Sequence, residues 1–222
     1  NSPGNPAGGL DDLGAVASWA RERGIIVCSD ECYLEYTWSG GPAGEDQLPA
    51  STVLSSGGEG LLALHSLSKR SNLAGGRVGC YAGDAQLVAA LGERRRELGL
   101  VVPGPMQAAA VAAWCDQSHV AEQRNRYRHR LEVLAESVRQ AGLADVELPA
   151  GGFYLWAKVG GDDRAAAARL AAAGVLVQPG ILYGPDGAGR IRLAAVRPDD
   201  EIVEAARRIA ALADGAALVR GG

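Results

Sequence analysis

Short apolar runs, bounded by polar residues or glycine and separated by stretches of helical period, set the fold class of this chain. Ile25-Ile26-Val27-Cys28, Leu61-Leu62-Ala63-Leu64 and Val78-Gly79-Cys80-Tyr81-Ala82 are continuous rather than alternating in character. Strands buried on both faces read this way, so the three are expected as strands of a mostly parallel sheet. Before the first run, Leu13, Val16, Ala17 and Ala20 recur at helical spacing, with Asp11 or Asp12 available as N-cap and Gly24 to end the helix. Residues 39–60 hold Gly, Pro, Ser and acidic residues and read as a long connection. Strands separated by helices imply an α/β fold with a doubly wound sheet.

The pattern then continues with helices expected over 84–98 and 106–116, interrupted at Val102-Pro103-Gly104-Pro105. A long helix is expected over 119–141, where Val120, Tyr127, Leu131, Leu134 and Val138 share one face and the opposite face is heavily charged. The domain boundary is placed at the start of this helix, dividing the chain into 1–118 and 119–222. The second part alternates again, with strands over 153–159, 175–178 and 190–196 and helices over 163–173 and 199–212. That describes a small α/β domain.

With 222 residues, 47% of them hydrophobic and 22% charged, the chain is long enough to bury the core of one large or two smaller domains. Its net charge of −4 gives no general attraction to nucleic acid or to anionic membranes, and Arg94-Arg95-Arg96 reads as a solvated helix face. No apolar stretch approaches the roughly 20 residues of a membrane span, and no charged-then-apolar leader opens the sequence. A cytoplasmic location is the default expectation. Cys28, Cys32, Cys80 and Cys115 show no CxxC spacing, and three of them lie in or beside apolar runs. Reduced thiols packed as small hydrophobes are expected rather than a disulfide or a metal site. The three histidines, at 65, 119 and 129, are scattered, which argues against a zinc centre.

The segment His65-Ser66-Leu67-Ser68-Lys69-Arg70-Ser71-Asn72-Leu73-Ala74-Gly75-Gly76-Arg77-Val78-Gly79 carries the functional signal. A lone lysine in a polar loop is usually solvated. Here two serines precede it, Gly75 and Gly76 free the backbone beyond it, and Arg77 supplies a fixed cation eight residues on. The segment resembles the lysine motif of class I/II aminotransferases, Ser-x-Ser-Lys followed by Gly-x-Arg-x-Gly. These are fold-type I enzymes that use pyridoxal 5'-phosphate. The resemblance implies a three-layer fold-type I large domain, present here in part, followed by a small C-terminal α/β domain. It also implies that Lys69 forms a Schiff base with the cofactor aldehyde, that Ser66, Ser68 and Arg77 contribute to cofactor binding, and that Ser66 and Arg77 hold its phosphate. A rigid guanidinium fork and hydroxyl donors suit phosphate oxygens. Proximity to Arg77 would help Lys69 lose the proton it must shed to attack a carbonyl.

In an open parallel sheet, ligands bind beyond the carboxyl ends of the strands, and Asp30 is expected at such an end. Asp30 and Tyr33 fill the family pattern Asp-x-x-Tyr. The resemblance gives Asp30 the pyridinium nitrogen, whose protonation makes the ring an electron sink, and gives Tyr33 the phenolic oxygen O3'. Asn5, in Asn5-Pro6-Ala7-Gly8, fits the family's Asn-Pro-Thr-Gly motif with Ala7 in place of threonine, and would approach the same oxygen. Taken singly, Asp30 also suits a helix N-cap, Tyr33 a core aromatic and Asn5-Pro6 a turn. Glu31 reads as a structural or solvated acid. For the substrate α-carboxylate the candidates are Arg190 and Arg192, alternating with Ile191 and Leu193; family spacing favours Arg192.

Softer matches, among them Ser29 to Glu35, Val102 to Gln107 and Gly180 to Pro185, are similar to actinobacterial succinyldiaminopimelate transaminases, although Gly76 stands where that group often has tyrosine. This resemblance implies glutamate as donor, N-succinyl-2-amino-6-oxopimelate as acceptor, a place in lysine biosynthesis and a homodimer. Other class I aminotransferases (aspartate or aromatic), a carbon-sulfur lyase, or the aminotransferase-like effector domain of a transcriptional regulator are the alternatives. The chain opens directly in the Asn-Pro motif without an initiator methionine. The expectation is therefore a C-terminal part of an aminotransferase, inactive alone.

Overall fold

Three aspartates open three of the helices. Asp12 accepts a hydrogen bond from Ala15 N at 2.9 Å, Asp84 from Gln86 N and Leu87 N at 2.8 and 3.1 Å, and Asp162 from Arg164 N and Ala165 N at 2.8 and 3.4 Å. Each satisfies amide protons that the first helical turn leaves without partners. The computed structural model describes residues 1–38, 52–143 and 146–214, so most of the connection expected over 39–60 lies outside the described residues.

Two compact units divide the chain. One comprises Asn1–Gly4 and Gly9–Arg124, the other Asn5–Gly8 and Asn125–Gly222. In the first, helix α1 (Leu13–Arg21) leads to β1 (Val27–Asp30), and β2 (Leu61–Ser66) runs into a four-residue helix, α2 (Leu67–Arg70). Then come β3 (Gly79–Gly83), α3 (Ala85–Glu97) and α4 (Gly104–Cys115). The long α5 (Ser118–Gln140) contains the division between Arg124 and Asn125. The sheet order is β1-β2-β3. Its apolar core gathers Ala17, Val53, Leu61 and Ala63, with a second cluster of Leu67, Val78 and Ala110.

The sheet is mixed rather than parallel throughout. β1 pairs with β2 in parallel, but β3 returns antiparallel to β2, with Ser66 opposite Gly79 and Leu62 opposite Gly83. The reason is local: no crossover helix of ordinary length stands between β2 and β3, only α2 and a 3-10 turn over Ala74–Gly76. Gly83 ends β3 at φ +140°, where an added Cβ would overlap the Leu61 carbonyl oxygen. The cysteines differ from expectation too. All four are free, but Cys28, Cys80 and Cys115 are exposed and Cys32 is half-buried, so none packs as a core hydrophobe.

In the second unit, β4 (Tyr154–Lys158), β6 (Arg190–Ala194) and the two-residue β5 (Gln178–Pro179) form an antiparallel sheet in the order β4-β6-β5, with α6 (Asp163–Ala172) and α7 (Asp199–Ala210). Leu155, Ala157, Ile191 and Leu193 are buried. Each large one contributes about 2 kcal/mol against exposure, and a one-residue slip would turn them all outward, so the register is fixed. The strand expected over 175–178 shrinks because Val175 N closes α6 on Leu170 O at 2.9 Å and Leu176 is 88% exposed.

Candidate active site

The parallel pairing of β1 with β2 sets Asp30 opposite Leu64, so both strands end on the same edge of the sheet. At that edge Asp30 Oδ1 accepts from Cys32 N at 3.1 Å, an Asx-type turn that bends the chain out of the sheet. Glu31 follows, and it is buried rather than solvated. Its amide donates to Leu64 O at 2.9 Å, its Oε1 accepts from Val53 N at 2.7 Å, and its Oε2 lies 3.7 Å from His65 Nε2. Tyr33 and Tyr36 are buried in the turn beyond.

From the end of β2, Ser66 caps α2 by accepting from Ser68 N at 3.2 Å, and α2 carries Lys69. Asn72, at φ 51°, takes a left-handed conformation just past the helix. Arg77 does the same at φ 52°, ψ 42°, with Nη1 donating to Ala74 O at 3.0 Å from an exposed position. For a residue with a Cβ this costs on the order of 1–2 kcal/mol, and strain of that kind concentrates at functional segments. Gly76 has a local explanation: a Cβ there would stand 2.8 Å from Met106 Cε and 3.0 Å from Leu73 Cγ, so a tyrosine would require both side chains to move. Because β3 is antiparallel to β2, the residue pair Ser66 and Gly79 brings Arg77 back to the edge from which α2 departs.

The Cys32 thiol senses the charges gathered here. Burial pushes it up to about 12, helped by its hydrogen bond to Asp30 and the charge of Asp30, while Lys69 pulls it down and Cys80 adds a small upward contribution. Asp30 and Lys69 thus act electrostatically on one thiol between them. The donor set of this edge is a carboxylate, an amine, hydroxyls and a guanidinium, which fits a cofactor bearing a ring nitrogen, an aldehyde and a phosphate. Among the described residues, no group of three or more His, Cys, Asp and Glu side chains is arranged to hold a metal ion, and no helix is long and apolar enough to cross a membrane.

The second unit holds the other two candidates, Asn5 and Arg192. Arg192 Nη1 donates to Asn5 Oδ1 at 2.8 Å, and the guanidinium carbon lies 4.0 Å from the Tyr154 ring centroid and 5.2 Å from that of Tyr183. Trp156 meets Tyr183 edge to face at 5.5 Å, and the Tyr183 hydroxyl donates to Gln178 Oε1. Burial raises the Tyr183 pKa, opposed by the Arg192 charge, with Tyr154 adding a smaller upward push. Arg192 Nε is buried without a hydrogen-bond partner, an unmet donor on the guanidinium. Arg190, on the same strand face, sits opposite Lys158 and outside this aromatic setting. Sequence reasoning missed Tyr154, Tyr183, Trp156, Tyr36, Arg70 and the Glu31–His65 pair. For Tyr154 and Trp156, their period-two spacing on a strand pairing with β6 was the available signal.

This α/β architecture, with a lysine-bearing helix at the carboxyl edge of one sheet, is that of the fold-type I enzymes. The chain belongs to the class I and II aminotransferase family, whose model matches residues 1–209. It is 44% identical over 212 residues to a 4-dedimethylamino-4-oxo-anhydrotetracycline transaminase, OxyQ, of Streptomyces rimosus (94% of this chain, 58% of that protein). It is also 44% identical over 212 residues to Rv1178 of Mycobacterium tuberculosis, described as a probable aminotransferase (94% and 50%). An LL-diaminopimelate aminotransferase of Dehalococcoides mccartyi is 32% identical over 218 residues (95% and 54%). Among solved structures, an aminotransferase from Neisseria meningitidis superposes with a TM-score of 0.82 at 35% identity, covering 95% of this chain and 56% of the other. The chain thus spans about half the length of the curated relatives it matches. The family and its structural neighbours depend on pyridoxal 5'-phosphate.

Proposed function

We propose that the protein is a pyridoxal 5'-phosphate-dependent aminotransferase that takes its amino group from glutamate and delivers it to N-succinyl-2-amino-6-oxopimelate. The observation that carries this reading is the pair of ladders Asp30 to Leu64 and Ser66 to Gly79, which gathers Asp30, Ser66, Lys69 and Arg77 at one edge of one sheet. When bound, the cofactor supplies an electrophilic aldehyde and an electron-withdrawing pyridinium ring. Lys69 would hold the cofactor through its aldehyde, and its Nζ would move a proton at the substrate α-carbon. Asp30 keeps the ring nitrogen protonated, and Tyr33 and Asn5 address the phenolic oxygen. Arg77, Ser66 and Ser68 bind at the phosphate side. Arg192 takes the α-carboxylate with its guanidinium.

In this reading residues 1–118 belong to a large cofactor-binding domain and 119–222 to a small one, and the protein works as a cytoplasmic homodimer. The acceptor is the finest part of the proposal. A diaminopimelate substrate is supported by the D. mccartyi relative, whereas the higher identity to OxyQ favours a second reading, a bulky cyclic ketone as acceptor. Assaying the full-length protein with glutamate and each acceptor in turn decides between them; amination of neither, or undiminished turnover in Lys69→Ala, would overturn the proposal.

A further inference from the structure

Lys69 stands near the end of a helix only four residues long, too short to fix its own direction. The carbonyls of Lys69 and Arg70 close that helix, and such groups need partners from elsewhere. Tyr36, with no exposed surface, supplies one to each: its hydroxyl lies 2.9 Å from Lys69 O, which also accepts from Asn72 N at 3.4 Å, and 2.8 Å from Arg70 O, one proton shared between two acceptors.

Arg70 grips the same turn from within the protein. Only 4% exposed, it donates from Nε to Glu35 Oε1 at 3.2 Å, and from Nη1 to Ala113 O at 2.8 Å and Ser71 Oγ at 3.4 Å. From Nη2 it donates to Gln117 Oε1 at 2.9 Å and Asp116 O at 3.4 Å. Five acceptors meet the five N–H groups of a guanidinium. Glu35 and Tyr36 both come from the turn that follows Asp30, so the same segment that carries the carboxylate also clasps the lysine helix.

We infer that Tyr36 and Arg70 are positioning residues for Lys69, which fix the direction of α2 and therefore the place of Nζ. This rests on the reading of Lys69 as the cofactor-bearing lysine. The Tyr36 hydroxyl bonds fall on the backbone of α2, and those of Arg70 tie its side chain to the surrounding segments. Their effect comes through the backbone: a small tilt of α2 is amplified along the lysine side chain, and a misplacement of about 1 Å can cost about a hundredfold in rate.

Tyr36→Phe removes only the hydroxyl, Arg70→Met removes all five donors at similar length, and Arg70→Lys restores a charge with fewer donors. In full-length protein, Tyr36→Phe is expected to lower kcat by about tenfold or more with KM for glutamate within about twofold. It should also slow borohydride trapping of the lysine–cofactor linkage and shift the pH midpoint of the bound cofactor's absorbance. Arg70→Met should lose more than Tyr36→Phe, and Arg70→Lys should recover part of that loss. Wild-type kcat, trapping rate and absorbance midpoint in both Tyr36→Phe and Arg70→Lys, with only Tm lowered, would overturn the inference and leave a purely structural clasp. Trapping in Lys69→Ala separates the two levels. If it persists there, the reading of Lys69 itself fails, and its positioning residues fail with it.

Discussion

Ser66 lies directly across an antiparallel ladder from Gly79, and that pairing returns Arg77 to the sheet edge from which Lys69 departs. A parallel β3 would have begun at the far end of the six-residue β2, about 20 Å away at strand rise. A parallel β3 would therefore have left Arg77 far from the end of β2 that leads into Lys69.

The guanidinium of Arg192 owes its setting to Tyr154, Tyr183 and Asn5, and a lysine there would lose both the stacking and the fork. With charged hydrogen bonds contributing about 1.5–3 kcal/mol each, Arg192→Lys should reduce kcat/KM for glutamate by about 10- to 100-fold. Arg190→Lys should change it little. Steady-state kinetics of the two variants provide the comparison, and equal losses would remove the distinction between the arginines.

Gly83 tolerates no side chain. Its φ of +140° and the Leu61 carbonyl oxygen in the path of a Cβ mean that Gly83→Ala must deform the β2–β3 ladder. A loss of about 3 kcal/mol is expected in urea denaturation of the full-length protein.

Cys32 should behave as an inert thiol. With its pKa at about 12 instead of 9.0, it remains protonated at pH 8, and iodoacetamide should label exposed Cys115 well before it. A raised acid pKa also carries a sign for stability. Between pH 9 and 12 the unfolded chain releases this proton and the folded chain does not, so stability falls as pH rises through that window. Peptide mapping by mass spectrometry and the pH dependence of Tm in Cys32→Ser test the two statements.

Asp116 stabilises the start of α5. Its carboxylate accepts from Ser118 Oγ and N at 2.6 and 2.8 Å and lies 2.8 Å from His119 Nδ1. These contacts, Ser118 foremost, hold its pKa at about 2, below the usual 3.8. A depressed carboxyl pKa gives stability that is present above pH 3.8 and lost as pH falls towards 2. The Tm difference between wild type and Asp116→Asn should therefore shrink as pH falls below 4.

Helices were the most legible part of the sequence, because periodicity and capping act within one turn. Asp12 caps α1, and the long helix lies one residue from its expected start. Strand direction was illegible in Val78 to Ala82, since an apolar run has no polarity; the shortness of the segment between it and β2 was the usable clue. At the site, Lys69 and Asp30 could be singled out because their motifs are contiguous. Arg70, in the same motif, passed unnoticed because its five acceptors come from segments well separated in sequence, apart from Ser71.

Asn5–Gly8 belongs to one unit while Gly4 and Gly9, on either side, belong to the other. Within its unit this tetrapeptide accepts hydrogen bonds, at Gly8 O from Gly151 N (2.9 Å) and at Asn5 Oδ1 from Arg192 Nη1. Neither unit is therefore a continuous stretch of polypeptide. A protease cut or an expression boundary between Arg124 and Asn125 would yield a C-terminal piece stripped of part of its own wall, and the two units cannot be separated cleanly by breaking one peptide bond.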